Sequence, residues 1–194
     1  MMDDRKKGLA IAVGGGAVLL LVVLALVGLA TVYTGAYNIA ATEEHTSLVR
    51  WALDTTFRNS IKSRAADIQP PRTVSPEMIA AGANSYKQMC EHCHAGPGVK
   101  RAEWASGMRP KPPHLKDAAA GWKAQEIYWL VKHGARMTGM PAFGPTHDNQ
   151  ALWSIVAFVK ELPAMTPETY AALGDASSQS GHSTPATQNG RTKR

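Results

Sequence analysis

The sequence predicts an all-α protein, in which one N-terminal membrane-spanning helix precedes a small helical domain. Three observations support this fold class. No residue from Gly8 to Thr42 is charged, and apolar residues recur at helical spacing in later segments. The only two cysteines, Cys90 and Cys93, are close enough to share one helical turn. The length of 194 residues allows one domain of ordinary size plus appendages.

The first element is a transmembrane helix over residues 9–33, which follows a short N-terminal segment, residues 1–8. Leu9 to Val32 is almost wholly apolar. As a helix, about 24 residues span roughly 36 Å, enough to cross a hydrocarbon core of ~30 Å. A cleaved signal peptide is the alternative, but its apolar region would be only ~7–15 residues long. The length therefore favours a retained anchor.

Basic residues predict the orientation of this helix. Arg5, Lys6 and Lys7 precede it, whereas Glu43 and Glu44 follow it. Because basic flanks stay in the cytoplasm, residues 1–8 are expected there and the rest of the chain is exported. In a bacterium, the protein would be a single-pass protein of the inner membrane with its C-terminal domain in the periplasm.

Residues 43–68 are predicted to form an amphipathic juxtamembrane helix and a linker. Apolar residues recur every fourth position, at Val49, Leu53, Phe57, Ile61 and Ala65. A mainly basic stripe has the same spacing. This helix could pack on the following domain, dock on a partner subunit or lie along anionic lipid headgroups. Prolines at 70, 71 and 76 then break the helical pattern, so the next domain begins at residue 76.

The segment Cys90-Glu91-His92-Cys93-His94 predicts the covalent attachment of one haem c. Two cysteines at this spacing can form thioethers with one haem, and the histidine that follows can ligate its iron. A zinc site would need further ligands at matched spacing, and the chain has no other cysteine. A thioredoxin-like redox pair would need a strand–helix pattern around it, and a disulfide across two residues is uncommon.

The segments around this motif resemble class I cytochromes c. Gly82 and Tyr86 lie on a predicted helix that begins at Ser75-Pro76-Glu77 and ends before Cys90. Residues 151–162 are predicted to form a second, apolar helix. In that family, a small and an aromatic residue of the first helix cross the last helix at close range. The resemblance implies that Ile155 and Phe158 make this contact. It covers residues 76–165 and implies a small all-α fold around one covalent haem.

The same resemblance implies two further residues of the haem site. Pro113-His114-Leu115 is similar to the family's Pro-x-Leu, whose proline carbonyl accepts a hydrogen bond from the axial histidine. Pro113 is assigned this role, with Pro112 as the adjacent alternative. Met140, in Gly-Met-Pro-x-Phe, resembles the loop of the second axial ligand. Met137, His133 and His147 compete for that role without the motif context. The predicted haem-binding residues are Cys90, Cys93, His94, Pro113 and Met140, with His94 and Met140 on the iron.

Two elements complete the chain. Lys123 to His133 is a predicted helix that Gly134 ends. Residues 174–194 are predicted to be a disordered tail, because their composition is polar and cannot bury enough apolar surface to become ordered.

The predicted function is one-electron transfer in a respiratory chain on the exported side. An iron with both axial positions filled has no open site, so no catalytic residue is expected and the protein is an electron carrier rather than an enzyme by itself. The chain would be a subunit of a redox complex, such as an oxidase or a dehydrogenase. Alternatively, it is an independent tethered carrier between a cytochrome bc complex and a terminal oxidase. A haem-based sensor is a third reading, but no output domain is visible.

The charge distribution argues against nucleic acid as a partner. Residues 76–173 carry ten Lys or Arg residues against eight Asp or Glu residues, and most of the net charge of +6 lies outside this range. A nucleic-acid-binding domain would instead concentrate basic residues on its folded face.

Overall fold

A computed structural model describes residues 2–178, and every regular element in this range is helical. The chain divides into two compact units after Glu43. The α-helices are α1 (Met2–Thr34), α2 (Ser47–Ala65), α3 (Pro76–Met89), α4 (Glu91–His94), α5 (Leu115–Ala118), α6 (Ala124–His133), α7 (Asn149–Glu161) and α8 (Pro167–Ser178). Three short 3₁₀ segments lie at Glu103–Gly107, Ala119–Gly121 and Leu162–Ala164.

The first unit contains α1, which includes one stretch, Arg5–Thr34, long and apolar enough to cross a membrane. Its apolar side chains are exposed from Leu9 to Val32. A helix that is apolar on every side is normally buried in a protein core or in a membrane. A signal sequence near the N-terminus can also meet this test of length and composition. The helix begins at Met2, so residues 2–8, which are predicted to lie in the cytoplasm, continue directly into the apolar stretch.

The second unit is built on the close crossing of α3 and α7. A Cβ atom added to Gly82 would overlap the backbone carbonyl of Ser154 and lie 2.9 Å from Cβ of Phe158. The ring of Tyr86 packs on that of Phe158, with 5.3 Å between centroids, and both side chains are fully buried. The predicted contact of Phe158 is therefore present, and Ile155 is buried in the same cluster.

Local sequence signals account for the ends of these helices. The Ser75 hydroxyl accepts a hydrogen bond from the N–H of Met78, and the Asp148 carboxylate accepts one from the N–H of Ala151. Both caps satisfy backbone donors that the first helical turn leaves without a partner. Gly134, at φ 66°, ends α6 and donates to the carbonyl of Leu130.

The second half of α2 packs on the rest of this unit. Ile61 and Ala65 are buried, and the ring of Phe57 meets that of Trp122 edge-on at 6.1 Å. Arg58 places its guanidinium over the same indole, 5.3 Å from the ring centroid. Of the three roles open to this helix, packing on its own domain therefore accounts for its C-terminal half.

Helix α8 is an element that the sequence reasoning missed. It begins with Thr166-Pro167-Glu168, and the Thr166 hydroxyl accepts a hydrogen bond from the N–H of Thr169. This is the same signal that starts α3 at Ser75-Pro76-Glu77, so the sequence contained it. The helix continues to Ser178, into the stretch 174–194 predicted to be disordered; residues 179–194 lie outside the described residues.

Candidate haem-attachment site

One short turn brings the two thiols and the following imidazole together. The N–H of Cys90 donates to the carbonyl of Tyr86 at 2.8 Å, which joins the motif to the end of α3. The N–H groups of Cys93 and His94 both donate to the carbonyl of Cys90, at 3.1 and 2.9 Å. The three side chains therefore project from a single turn, the arrangement needed to reach one porphyrin edge and its iron.

The imidazole of His94 is held in one orientation by a backbone acceptor. Its Nδ1 lies 2.8 Å from the carbonyl oxygen of Pro113. Since a carbonyl can only accept, Nδ1 carries the proton and Nε2 keeps its lone pair free for a metal. The carbonyl of Pro112, the alternative, instead accepts a hydrogen bond from the guanidinium of Arg101 at 2.9 Å.

The environment favours neutral forms of the attachment residues. Burial lowers the pKa of His94, opposed in part by its hydrogen bond to Pro113 and assisted by the charge of Arg101. A neutral imidazole is the form that binds iron. Burial, together with the neighbouring Cys93, raises the pKa of the Cys90 thiol to about 12. Both cysteines are free thiols, which leaves both sulfur atoms available for thioether bonds.

The loop that contains Met140 is held by several backbone contacts. The N–H of Met140 donates to the Thr138 hydroxyl at 3.0 Å, and its carbonyl accepts from the N–H of Ala135 at 3.2 Å. A Cβ on Gly134 would lie 2.8 Å from the Met140 carbonyl oxygen, so only glycine allows this approach. The Met140 side chain packs on the same core cluster as Cys90, whereas Met137 is 91% exposed.

Two tyrosines that the sequence reasoning did not place at the site support the attachment turn. The Tyr86 hydroxyl donates to the carbonyl of Ala95, the residue directly after His94, at 2.7 Å. The Tyr170 hydroxyl, from α8, donates to Oε1 of Glu91 at 2.6 Å, and its ring lies against Gly96. Burial raises the pKa of both phenols, so both remain neutral donors. Tyr86 was predicted only as a core contact.

The donor set fits a covalently attached haem. It offers two thiols on one turn, an imidazole with a free Nε2, and a thioether in a loop that packs on the same core. These are the groups through which c-type haem is attached and its iron ligated. Among residues 5–173, whose side chains the structure describes, no three His, Cys, Asp or Glu side chains gather around a common point, so this part of the chain lends the zinc alternative no support.

Comparison with known proteins finds a family model that matches part of the chain. Residues 77–159 match the family described as cytochrome c oxidase, cbb3-type, subunit III. The match begins at the start of α3, includes the attachment motif and the Met140 loop, and ends in α7. No curated protein was found to match the chain. Together with the geometry of the attachment turn, the family match shows that residues 77–159 form a c-type cytochrome domain.

Proposed function

We propose that this chain transfers single electrons through one haem c, bound by Cys90 and Cys93, with His94 and Met140 as the axial ligands. The observation that carries the proposal is the hydrogen bond from Nδ1 of His94 to the Pro113 carbonyl. It orients the ring, and it raises the basicity of the nitrogen that faces the iron. A bound haem supplies one-electron redox chemistry at its iron.

The residues around the site would tune and protect this chemistry. A neutral methionine sulfur favours ferrous iron, and so gives a higher potential than a second histidine would. With His94 and Met140 both bound, the iron has no open position for a substrate. Tyr86 and Tyr170 hold the backbone and the side chain of the attachment turn in place. The chain thus acts as a carrier, since none of these residues performs proton or group transfer.

The attachment test uses the full chain, produced in cells that attach haem covalently. We expect one haem per chain, and we expect it to stay with the polypeptide after denaturation in acid and organic solvent. The Cys90→Ala/Cys93→Ala variant should lose the haem under the same treatment. A parent chain whose haem is extracted by the solvent would overturn the proposal.

We further propose that the domain works on the exported side of a membrane, tethered by α1, as a subunit of a redox complex such as an oxidase or a dehydrogenase. Two observations support a complex. The family matched is described as a subunit of an oxidase. The first half of α2 also presents apolar side chains to solvent, with Leu48 72% and Trp51 64% exposed. Exposed apolar side chains close together are typical of an interaction surface.

The independent tethered carrier is the second candidate. It is favoured by the packing of Ile61 and Ala65 on their own domain, because half of α2 then needs no partner. Purification from native membranes in mild detergent distinguishes the two. A stable, stoichiometric complex that contains a second redox protein supports the subunit. Recovery of the haem-loaded chain alone, at every detergent concentration tested, supports the carrier.

A further inference from the structure

Met108 connects the attachment turn to the loop of Met140. Its sulfur lies 3.9 Å from Sγ of Cys93. Its terminal methyl group lies against Gly139, where an added Cβ would overlap Cε of Met108. Gly139 directly precedes Met140 in the chain. One half-buried side chain therefore contacts both the second attachment cysteine and the neighbour of the proposed axial ligand.

The backbone around Met108 is held by hydrogen bonds on both sides, which fixes the point from which its side chain extends. The N–H of Met108 donates to the carbonyl of Ala105 at 3.3 Å, at the end of the 3₁₀ segment Glu103–Gly107. Its own carbonyl accepts from the Arg109 guanidinium at 3.0 Å. The segment is also tied to the attachment motif, because the N–H of Ala102 donates to the carbonyl of His92 at 2.8 Å.

Gly139, beside the proposed ligand Met140, is in close contact with Met108. Its φ lies outside the left-handed region, so a residue with a side chain could adopt the same conformation. The space that a side chain would need is taken by the methyl group of Met108. Steric fit between these two residues, rather than backbone strain, thus accounts for the glycine.

We propose that Met108 is a positioning residue, whose side chain packs between Cys93 and Gly139 and holds the Met140 loop against the iron. The inference rests on the proposed haem site. Met108 acts by its volume: it fills the space between the attachment turn and the loop, so the loop cannot shift into that space. Shortening this side chain frees the loop, and the bond between Met140 and iron then competes less well with an added ligand.

The test measures the binding of imidazole to the ferric, haem-loaded full chain in detergent micelles. Imidazole competes with the Met140 sulfur, and the charge-transfer band of methionine on ferric haem reports the intact bond. We expect Met108→Ala to bind imidazole about tenfold more tightly, since a loosened loop weakens the competing bond. Met108→Leu, which keeps most of the volume, should stay within about twofold of the parent. Met137→Ala, the matched exposed control, should leave the affinity unchanged.

A second pair of variants tests the fit itself. Gly139→Ala should also tighten imidazole binding, because its methyl group pushes the loop away from Met108. In Met108→Ala/Gly139→Ala that methyl group has room, so the two effects should be clearly less than additive. Gly139→Ala and Met108→Leu, which do not depend on Met108→Ala, still test the inference if Met108→Ala fails to hold its haem.

An unchanged imidazole affinity in Gly139→Ala, or in a haem-loaded Met108→Ala, would overturn the inference. So would a Met108→Leu variant that binds imidazole as tightly as Met108→Ala does. Fully additive effects in Met108→Ala/Gly139→Ala would overturn it as well. A parent chain with no covalent haem, or with no methionine band, would instead contradict the proposed function. The two failures are therefore distinguishable.

Discussion

Replacing Tyr86 by Phe removes one hydroxyl group at the junction of the helical core and the attachment turn. That hydroxyl donates to the carbonyl of Ala95 at 2.7 Å, and both residues are buried. The variant keeps the ring, and with it the packing on Phe158 and Tyr170. The carbonyl of Ala95, in contrast, loses this donor where water has little access.

The size of the effect follows from that burial. A buried polar group left without its partner costs about 1–3 kcal/mol, more than the ~1 kcal/mol that a typical hydrogen bond contributes net. Tyr128→Phe is the matched control. The Tyr128 hydroxyl donates to Oδ1 of Asn149 at 2.6 Å, but Asn149 is exposed and can bond to water instead. We therefore expect Tyr128→Phe to cost less than about 1 kcal/mol.

Guanidinium chloride unfolding of the haem-loaded full chain in micelles measures both losses. Tryptophan fluorescence follows the transition, and equal slopes in the parent and the two variants make their free energies comparable. Tyr86→Phe should unfold at a lower denaturant concentration than Tyr128→Phe. Equal midpoints for the two variants would refute the reasoning from burial, as would a loss below about 0.5 kcal/mol for Tyr86→Phe.

Three further predictions follow from the same contacts. Gly82→Ala should destabilise the domain by about 1–3 kcal/mol in the same unfolding assay, because its Cβ meets the carbonyl of Ser154; a neutral substitution would contradict the close helix crossing. Met140→Ala should abolish the methionine band of the ferric spectrum and let ferrous haem bind carbon monoxide readily. An unchanged spectrum, with carbon monoxide bound equally by the parent, would exclude Met140 as a ligand. Stability should also fall as the pH rises above about 10. Burial raises the pKa of Tyr86 and Tyr170 above the value that these phenols have in the unfolded chain. The native state therefore binds more protons than the unfolded state at this pH, and raising the pH favours unfolding. The unfolding midpoint measured at about pH 9 and pH 11 checks this, and Tyr86→Phe/Tyr170→Phe should flatten the dependence.

The helices that the sequence predicted well are those with local signals. Residues 76–89 were predicted as a helix that Ser75 caps, and α3 has these bounds and this cap. The helix predicted at 151–162 begins two residues earlier, at Asn149, with Asp148 as its cap. Caps, apolar spacing and glycine stops act within a few residues, so a single sequence displays them.

Helix α8 was missed because the contacts that stabilise it are with residues distant in the sequence. Its start carries a recognisable Thr166-Pro167-Glu168 signal, yet the short segment before the polar stretch shows little apolar periodicity. The helix is held by Tyr170, which is buried against Tyr86 and Phe158 and donates to Glu91, 79 residues earlier. A contact at that separation leaves no pattern in the neighbouring residues.

By itself, the sequence determined the chemistry of this protein: a Cys-x-x-Cys-His turn, a methionine loop and an apolar N-terminal helix, each defined within one short segment. Only the tertiary structure decided which carbonyl orients His94, since the sequence favoured Pro113 but left Pro112 open, and the two carbonyls differ in their partners. It also placed Met108 between Cys93 and Gly139, because residues from three separate segments of the chain meet there. Spacing along the chain specifies what a turn can bind, whereas long-range packing specifies how firmly the bound group is held.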